Sequence, residues 1–542
     1  MDDRQRQTKT DDQGNPIARG WYRANRSLQR CESWGIQLGI SSWTKGRSTL
    51  AFAFIVCLAS YGIDLFNTGF STDEVVWSST HGATLDWIGQ GRWGMYLFNV
   101  LLPNPTLPYI SQLIGYLSLA LSATLAVSLW GGLGQFRGYI GAALIVSTPL
   151  LAFILHFNTA QYGVMPGMLL AVLSIRFFVS GKLIGIVTGG LMLVFAISVY
   201  QAVAMIAIVV YLGWLLNNKV LEPKEPVNEK QILKSLFLFA GWFGIVLALH
   251  KVSAMVAWNL WAPNGEYKVI LNVYNDSIIP IEQFRLTAGL NRFRSVLSGG
   301  TWYLGRITSG LVVVCSVIIL ARLGGLKKPW GTRALGALVL SMLLATPFLL
   351  DSATGRPWPS RTLLAVPFLL GALATTALGV RASVHRWVIT AACAACIWHF
   401  IVSNNRLMYA DKLTWESDRA LAIDLQLRLR SAGLPKNEPT RLVIIGFKKF
   451  TPTPLMFREE TIGRSIFTTE QIWPNRVSKL LSLTGTPGIT GTDSASDFAH
   501  AIMLSESMPS WPIPGSVLID GDLAVIKFGE PTNKQRRLAE EK

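Results

Sequence analysis

LIGIVTGGLMLVFAISVYQAVAMIAIVVYLGWLL, residues 183–216, contains no charged residue, and its polar pair Tyr200-Gln201 falls near the middle. As one helix it would run about 51 Å at 1.5 Å per residue, well beyond a hydrocarbon core of about 30 Å. It therefore reads as a tight hairpin or re-entrant pair turning near Ser198-Val199-Tyr200-Gln201. Loop charge gives an independent check. With the run folded back, Arg137, Arg176/Lys182, Lys219–Lys234, Arg322/Lys327/Lys328/Arg333 and Arg381/Arg386 all fall on the side of the N-terminus. As a single crossing, it would send the last three groups to the opposite face. The excess of Lys and Arg in cytoplasmic loops favours the fold-back.

Outward from this run, apolar stretches of spanning length recur at 49–66, 109–130, 138–157, 163–180, 235–259, 303–320, 334–350, 362–380 and 387–402. The chain is 50% apolar and only 15% charged, which excludes a soluble enzyme and makes the net charge of +17 a matter of membrane orientation, with nucleic acid not expected as a partner. Residues 1–48 carry nine Lys/Arg against five acids and read as a cytoplasmic polar segment. The first apolar run starts near Leu50, too late and too long for a cleaved signal peptide. The expected fold is an all-α polytopic membrane domain of about ten or eleven transmembrane helices over 49–402, followed by a small extracytoplasmic α/β domain over 403–542. Within that tail, Arg406–Arg430 has helical periodicity and Arg441–Phe447 reads as a strand. Asp520-Gly521 between apolar runs in Ser516–Phe528 signals a β-hairpin.

Three hydrophilic stretches, Asn67–Trp93, Leu260–Trp302 and Asp351–Arg361, should share the outer face with the tail. The first is the richest chemically: Phe70-Ser71-Thr72-Asp73-Glu74-Val75-Val76-Trp77, His81-Gly82, Leu85-Asp86-Trp87 and Gln90-Gly91-Arg92-Trp93-Gly94. A carboxylate at a partly desolvated membrane boundary can accept a proton from a hydroxyl, and Arg92 can pair with that acid or neutralise a phosphate. A solvated loop is the plain alternative. The second stretch places Arg285, Arg292 and Arg294 outside, against the usual charge bias, and Arg306, Arg356 and Arg361 add to the cations near that face.

The first stretch resembles the first periplasmic loop of the bacteriophage-type O-antigen glucosyltransferases that alter serotype. The shared features are an acidic pair at Asp73/Glu74, Gly82, Trp87 and the Gly91-Arg92 step. Tyr200-Gln201 at the end of an apolar run, Arg361 with Pro367 opening a late span, and Trp415 with Asp418 at the start of the tail extend the likeness over most of the chain. Glu74 stands where that family has a second Asp, and Trp77 where it has an Arg. The resemblance implies a GT-C glycosyltransferase that uses an undecaprenyl-phosphate-linked sugar outside the bacterial inner membrane. Its acceptor would be a lipid-linked or polymeric O-antigen, and it would work alongside a flippase and a polyprenyl-phosphate sugar synthase. Asp73, or else Glu74, would take the acceptor proton. Arg92, Arg292, Arg294, Arg306, Arg356 and Arg361 would be available to the donor phosphate, while Asp64, Trp87, Tyr200, Gln201 and Lys251 would face sugar or acceptor.

Other polar residues read more plainly. Lys251, beside His250 in a long apolar span, is either functional or snorkels outward along surrounding lipid. His156, His385 and His399 read as structural, and Cys393/Cys396 as small packing residues. Trp258, Trp261, Trp302 and Tyr303 read most simply as an interfacial belt, with stacking on sugar rings as the alternative for some of them. No His/Asp/Glu cluster has metal-ligand spacing, so neither metal nor cofactor is expected. The rival classes are a Wzy-like polymerase or ligase and a lipid-linked-sugar flippase. A flippase should line an inter-helix path with polar groups, whereas here they collect on one face.

Overall fold

The computed structural model describes residues 43–66, 69–72, 74–77, 86–101, 109–223, 227–261, 285–380, 383–435, 438–468 and 474–540. The membrane part is helical: α1 (Trp43–Leu65), short α2 (Glu74–Trp77) and α3 (Asp86–Gly89), α4 (Trp93–Leu101), α5 (Ile110–Leu129), α6 (Phe136–Leu155), α7 (Asn158–Phe178), α8 (Leu183–Val199) and α9 (Val203–Leu221). There follow α10 (Glu229–Trp261), α11 (Leu286–Leu297), α12 (Gly305–Gly324), α13 (Trp330–Thr354), α14 (Ala365–Ala377) and α15 (Ser383–Ser431). Among the described residues nine helices are long and apolar enough to cross a membrane, and α8 and α14 are shorter apolar helices.

The 183–216 run is two helices. Tyr200 leaves helical geometry for an extended conformation (φ −157°, ψ 116°) and ends α8. The rings of Phe178, just before α8, and Tyr211, midway along α9, lie 5.8 Å apart, so α9 runs back beside the segment that leads into α8. Trp130, at the end of α5, donates to the Val210 carbonyl. The turn is where it is because Gln201 needs partners that lipid cannot supply. It finds them in the first hydrophilic stretch, donating to the Gln90 carbonyl at 2.7 Å.

Several of the charged loops meet. Glu222 bridges Arg137 (3.1 Å) and Arg322 (3.0 Å), Lys328 donates to the Val220 carbonyl, and Arg386 donates to that of Val380. The tail instead contacts His156 and Ser360, at other ends of the helices. The boundary between membrane domain and tail, expected at 402/403, lies inside α15. At 49 residues this helix is about 73 Å long, so it outruns the bilayer and carries its far half into the tail as a rigid strut.

The tail is built on a four-stranded sheet of β1 (Thr440–Ile445), β2 (Ile489–Gly491), β3 (Val517–Asp520) and β4 (Leu523–Lys527), in the order β2-β1-β4-β3. Helices α16 (Pro474–Leu483), α17 (Ala495–Ser505) and α18 (Asn533–Glu540) complete it. Strand β1 pairs in parallel with β2 and β4, and β3–β4 is the antiparallel hairpin expected at Asp520-Gly521. Gly521 takes a positive φ of 58° in its turn, where a side chain would be strained. Because strand side chains alternate, Leu442 and Ile444 join the core shared with Leu421, Leu425 and Leu429 of α15, while Val443 and Ile445 face Phe498 and Ala501 of α17. Both faces of β1 are covered, which explains its unbroken apolar run. Cys57, Cys315, Cys393 and Cys396 are buried free thiols, consistent with packing roles.

Candidate active site

The first hydrophilic stretch is clamped to the tail. Val75 of α2 is fully buried in the tail core with Phe467 and Leu480. Phe70 meets Trp415 edge-on at 5.6 Å, and Gly69 lies so close to Trp415 that an added Cβ would stand 3.2 Å from its ring. Asp418 holds the facing tail segment, accepting from the Ser465 hydroxyl at 2.6 Å and the Ile466 N–H at 2.7 Å. Trp415 therefore acts on the loop through packing, and Asp418 through the hydrogen bonds that hold the facing tail segment.

Within the loop, Ser71 and Glu74 form a reciprocal capping box. The Glu74 N–H donates to Ser71 Oγ at 3.4 Å, and Glu74 Oε2 accepts the Ser71 N–H at 3.0 Å. The other carboxylate oxygen accepts the Thr159 N–H at 2.6 Å, at the N-terminus of α7, where the helix dipole favours negative charge. Glu74 is fully buried. Burial pushes its carboxyl up to about 7, although the hydrogen bonds from Ser71 and Thr159 oppose the rise. Asp73 and Gly82 lie outside the described residues. Asn158 extends the seam, donating to the Gly69 carbonyl at 3.0 Å and accepting from Gln112.

Four of the residues singled out in the sequence converge, although more than a hundred positions separate the two segments that supply them. The Arg92 guanidinium lies 4.7 Å from the centre of the Tyr200 ring and 5.6 Å from that of Trp87, and its Nε donates to Gln201 Oε1 at 3.0 Å. Gly91 has a φ of 71°, which lets the chain turn sharply from α3 into α4 and present Arg92 to the α8–α9 turn. Gly94 packs directly on that turn, since an added Cβ would sit 2.3 Å from Ser198 Oγ and 3.1 Å from the Ser198 carbonyl carbon. Gly94→Val is expected to destabilise the protein by about 1–3 kcal/mol and lower its melting temperature in detergent. An unchanged melting temperature would show that α4 and the turn separate freely.

A second group gathers at the start of α14. Arg292 donates to the Trp358 carbonyl at 3.0 Å and to Ser360 Oγ at 3.3 Å. Ser360 also donates its N–H and hydroxyl to Glu460, and Tyr303 meets its Oγ at 3.2 Å. Arg361 stands over the Phe157 ring at 5.7 Å. Arg294, Arg306 and Arg356 are exposed, Arg356 against Trp358. Lys251 is also exposed, on α10, while its neighbour His250 is buried. Of the six arginines, then, Arg92, Arg292 and Arg361 are the ones held in place by several partners or packed within the site. Trp302 departs from a simple belt role by donating to Glu459 at 3.0 Å.

Residues 156–163 form the common wall. Thr159 meets Glu74, Gly163 lies against Met95 of α4, and Phe157 meets Arg361. His156, between the spans α6 and α7, touches Thr461 of the tail at 3.0 Å and faces Asp411 of α15 at 3.9 Å. Burial, with Arg361 adding to it, pushes its imidazole down to about 3, so the His156–Asp411 approach is not an ion pair at neutral pH. Asp64, at the end of α1, is buried and interacts electrostatically with both Asp411 and Glu74. His156, Asn158, Thr159 and Asp411 were missed as site residues. The available signal was the polar run His156-Phe157-Asn158-Thr159-Ala160-Gln161-Tyr162, interrupting an apolar region.

A multi-span helical membrane domain with acids, arginines and aromatics gathered on one face, under a tail that clamps them, is the layout of an enzyme acting at a membrane surface. Residues 62–377, more than half of the chain, match the family of glucosyl transferase GtrII, and the protein belongs to that family of glycosyltransferases. Among solved structures, the chain is similar to ArnT from Cupriavidus metallidurans bound to undecaprenyl phosphate, with 12% identity, a TM-score of 0.44, and coverage of 89% of this chain and 96% of that one. Comparison with curated proteins gave no match.

Proposed function

We propose that the protein is an inverting glycosyltransferase. It moves a glucosyl residue from undecaprenyl-phosphate-glucose to O-antigen or a related surface glycan at the periplasmic face of the bacterial inner membrane. The observation that carries this reading is the grouping of Glu74, Arg361 and the 156–163 wall beside the tail. In the reaction the acceptor hydroxyl oxygen attacks the anomeric carbon, and its proton passes to Asp73. The bond from that carbon to the phosphate oxygen breaks, and the lipid phosphate leaves against arginine. A single displacement turns a β-linked donor into an α-glucoside. Glu74 anchors the loop that presents Asp73. Purified protein given synthetic polyprenyl-phosphate-glucose and acceptor glycan should form the glucosylated product, and failure with every acceptor tried would remove the reading.

Orientation is tested by single cysteines at positions 80, 275 and 500, all of which should label from outside. Cys31 is replaced by Ser, and the buried native thiols Cys57, Cys315, Cys393 and Cys396 keep the background low. Labelling at 80 alone would place the tail inside. The role of Glu74 predicts a pH effect of known sign. Protonation leaves one of the two oxygens a much weaker acceptor for its backbone N–H, and the carboxyl is raised to about 7, so turnover should fall as pH drops through about 7. That limb should vanish in Glu74→Gln. Its persistence there would assign it to another group.

A further inference from the structure

The geometry points to a sugar-hydroxyl subsite formed by His156, Asp411 and Asp64, which holds the glycosyl group of the lipid-linked donor. This inference rests on the proposed donor chemistry and extends it to residues from three separate elements. His156 Nδ1 and Asp411 Oδ2 are 3.9 Å apart, too far for a direct hydrogen bond, yet a single hydroxyl oxygen about 2.8 Å from each would bridge them. The His156 side chain is fully buried, and among the described residues its Nδ1 has no partner. Buried polar atoms are seldom left unpaired unless something is meant to pair with them. Asp64 supplies a second such atom: the residue is 8% exposed and its buried Oδ2 also has no partner among the described residues. The Asp411 side chain is 24% exposed, so the group opens to the outside on one edge.

The partners that are present occupy the other polar atom of His156 and of Asp411. Thr461 occupies His156 Nε2, and the Gly463 N–H occupies Asp411 Oδ1 at 2.8 Å, both from the same turn of the tail. A carboxylate accepts only, whereas a ring nitrogen accepts or donates according to its tautomer. Hydroxyls, which do both, match this set. A sugar presents several of them close together. Arg361, over the ring of the adjacent Phe157, is near enough to act on His156 electrostatically, so a phosphate at the arginine would be close to a sugar at the acids.

The test separates sugar from phosphate. His156→Gln keeps a polar atom for Thr461 and removes Nδ1, Asp411→Asn keeps the acceptor for Gly463, and Asp64→Asn preserves shape. Affinities of wild type and each variant are measured for undecaprenyl phosphate and for synthetic undecaprenyl-phosphate-glucose. The variants should bind the sugarless lipid within about threefold of wild type and the glucose-bearing lipid at least about tenfold more weakly, as expected for losing a hydrogen bond to a charged or buried group. Equal losses for both lipids would make the residues structural and overturn the subsite. No loss for either lipid would overturn it as well. If wild type turns over the glucose-bearing donor while the variants show neither pattern, the subsite falls and the proposed function stands. If wild type fails to bind that donor, both fall.

Discussion

Asp73→Asn should reduce transfer from the lipid-linked donor by about 10²–10⁴-fold, the usual contribution of a positioned general base, while leaving insertion and melting temperature unchanged. Asn matches Asp in size but cannot take the acceptor proton, so the loss should appear in kcat with little change in donor KM. Its neighbour behaves differently. Both Glu74 oxygens accept backbone N–H groups, from Ser71 and Thr159, and in Glu74→Gln an amide nitrogen would replace one of those acceptors. A buried donor left unpaired costs about 1–3 kcal/mol, so this variant should lose stability as well as rate. The pair of variants therefore divides chemistry from anchoring. Near-normal turnover by Asp73→Asn, with melting intact, would remove Asp73 from the mechanism. A large loss confined to Glu74→Gln, without destabilisation, would move the base to Glu74.

The membrane architecture was legible because apolar length and loop charge are local properties of the chain. The 183–216 fold-back followed from helix length and the sidedness of arginines and lysines, and α8 and α9 break at Tyr200 as that argument requires. The β3–β4 hairpin was legible from Asp520-Gly521 for the same reason. What the sequence hid depends on tertiary proximity. Nothing local indicates that Val75 belongs to the tail core, or that the tail turn carrying Glu460, Thr461 and Gly463 reaches Ser360, His156 and Asp411. The α15 strut was split at 402/403 because its hydropathy changes sharply there, while its helical hydrogen bonding continues. His156 looked structural in isolation. Its environment is made by three elements distant in sequence. The capping box at Ser71 and Glu74 was available as a motif, but two adjacent acids drew the reading toward chemistry first.

Arg361→Ala should lower kcat/KM for the lipid-linked donor by on the order of a hundredfold or more, the size expected for a group that stabilises the leaving phosphate. Arginine suits that role because its planar fork makes bidentate contacts and keeps its charge near lipid. Position singles out Arg361 among the candidates, since it packs on Phe157 at the wall that also holds Thr159 and His156. Arg361→Lys should recover only part of the loss, because the charge returns without the fork. Arg92→Ala should also be costly. Its guanidinium joins Trp87, Tyr200 and Gln201, so removing it dissolves the contact between the first loop and the α8–α9 turn. Arg292→Ala would release Ser360, which also holds Glu460, and should loosen the tail turn. Arg294, Arg306 and Arg356 are exposed, where salt screens their charge, and their Ala variants should stay within a few-fold of wild type. If all six substitutions remained within a few-fold, an arginine clamp on the phosphate would be untenable, and a bound metal ion would become the next candidate for stabilising the leaving group.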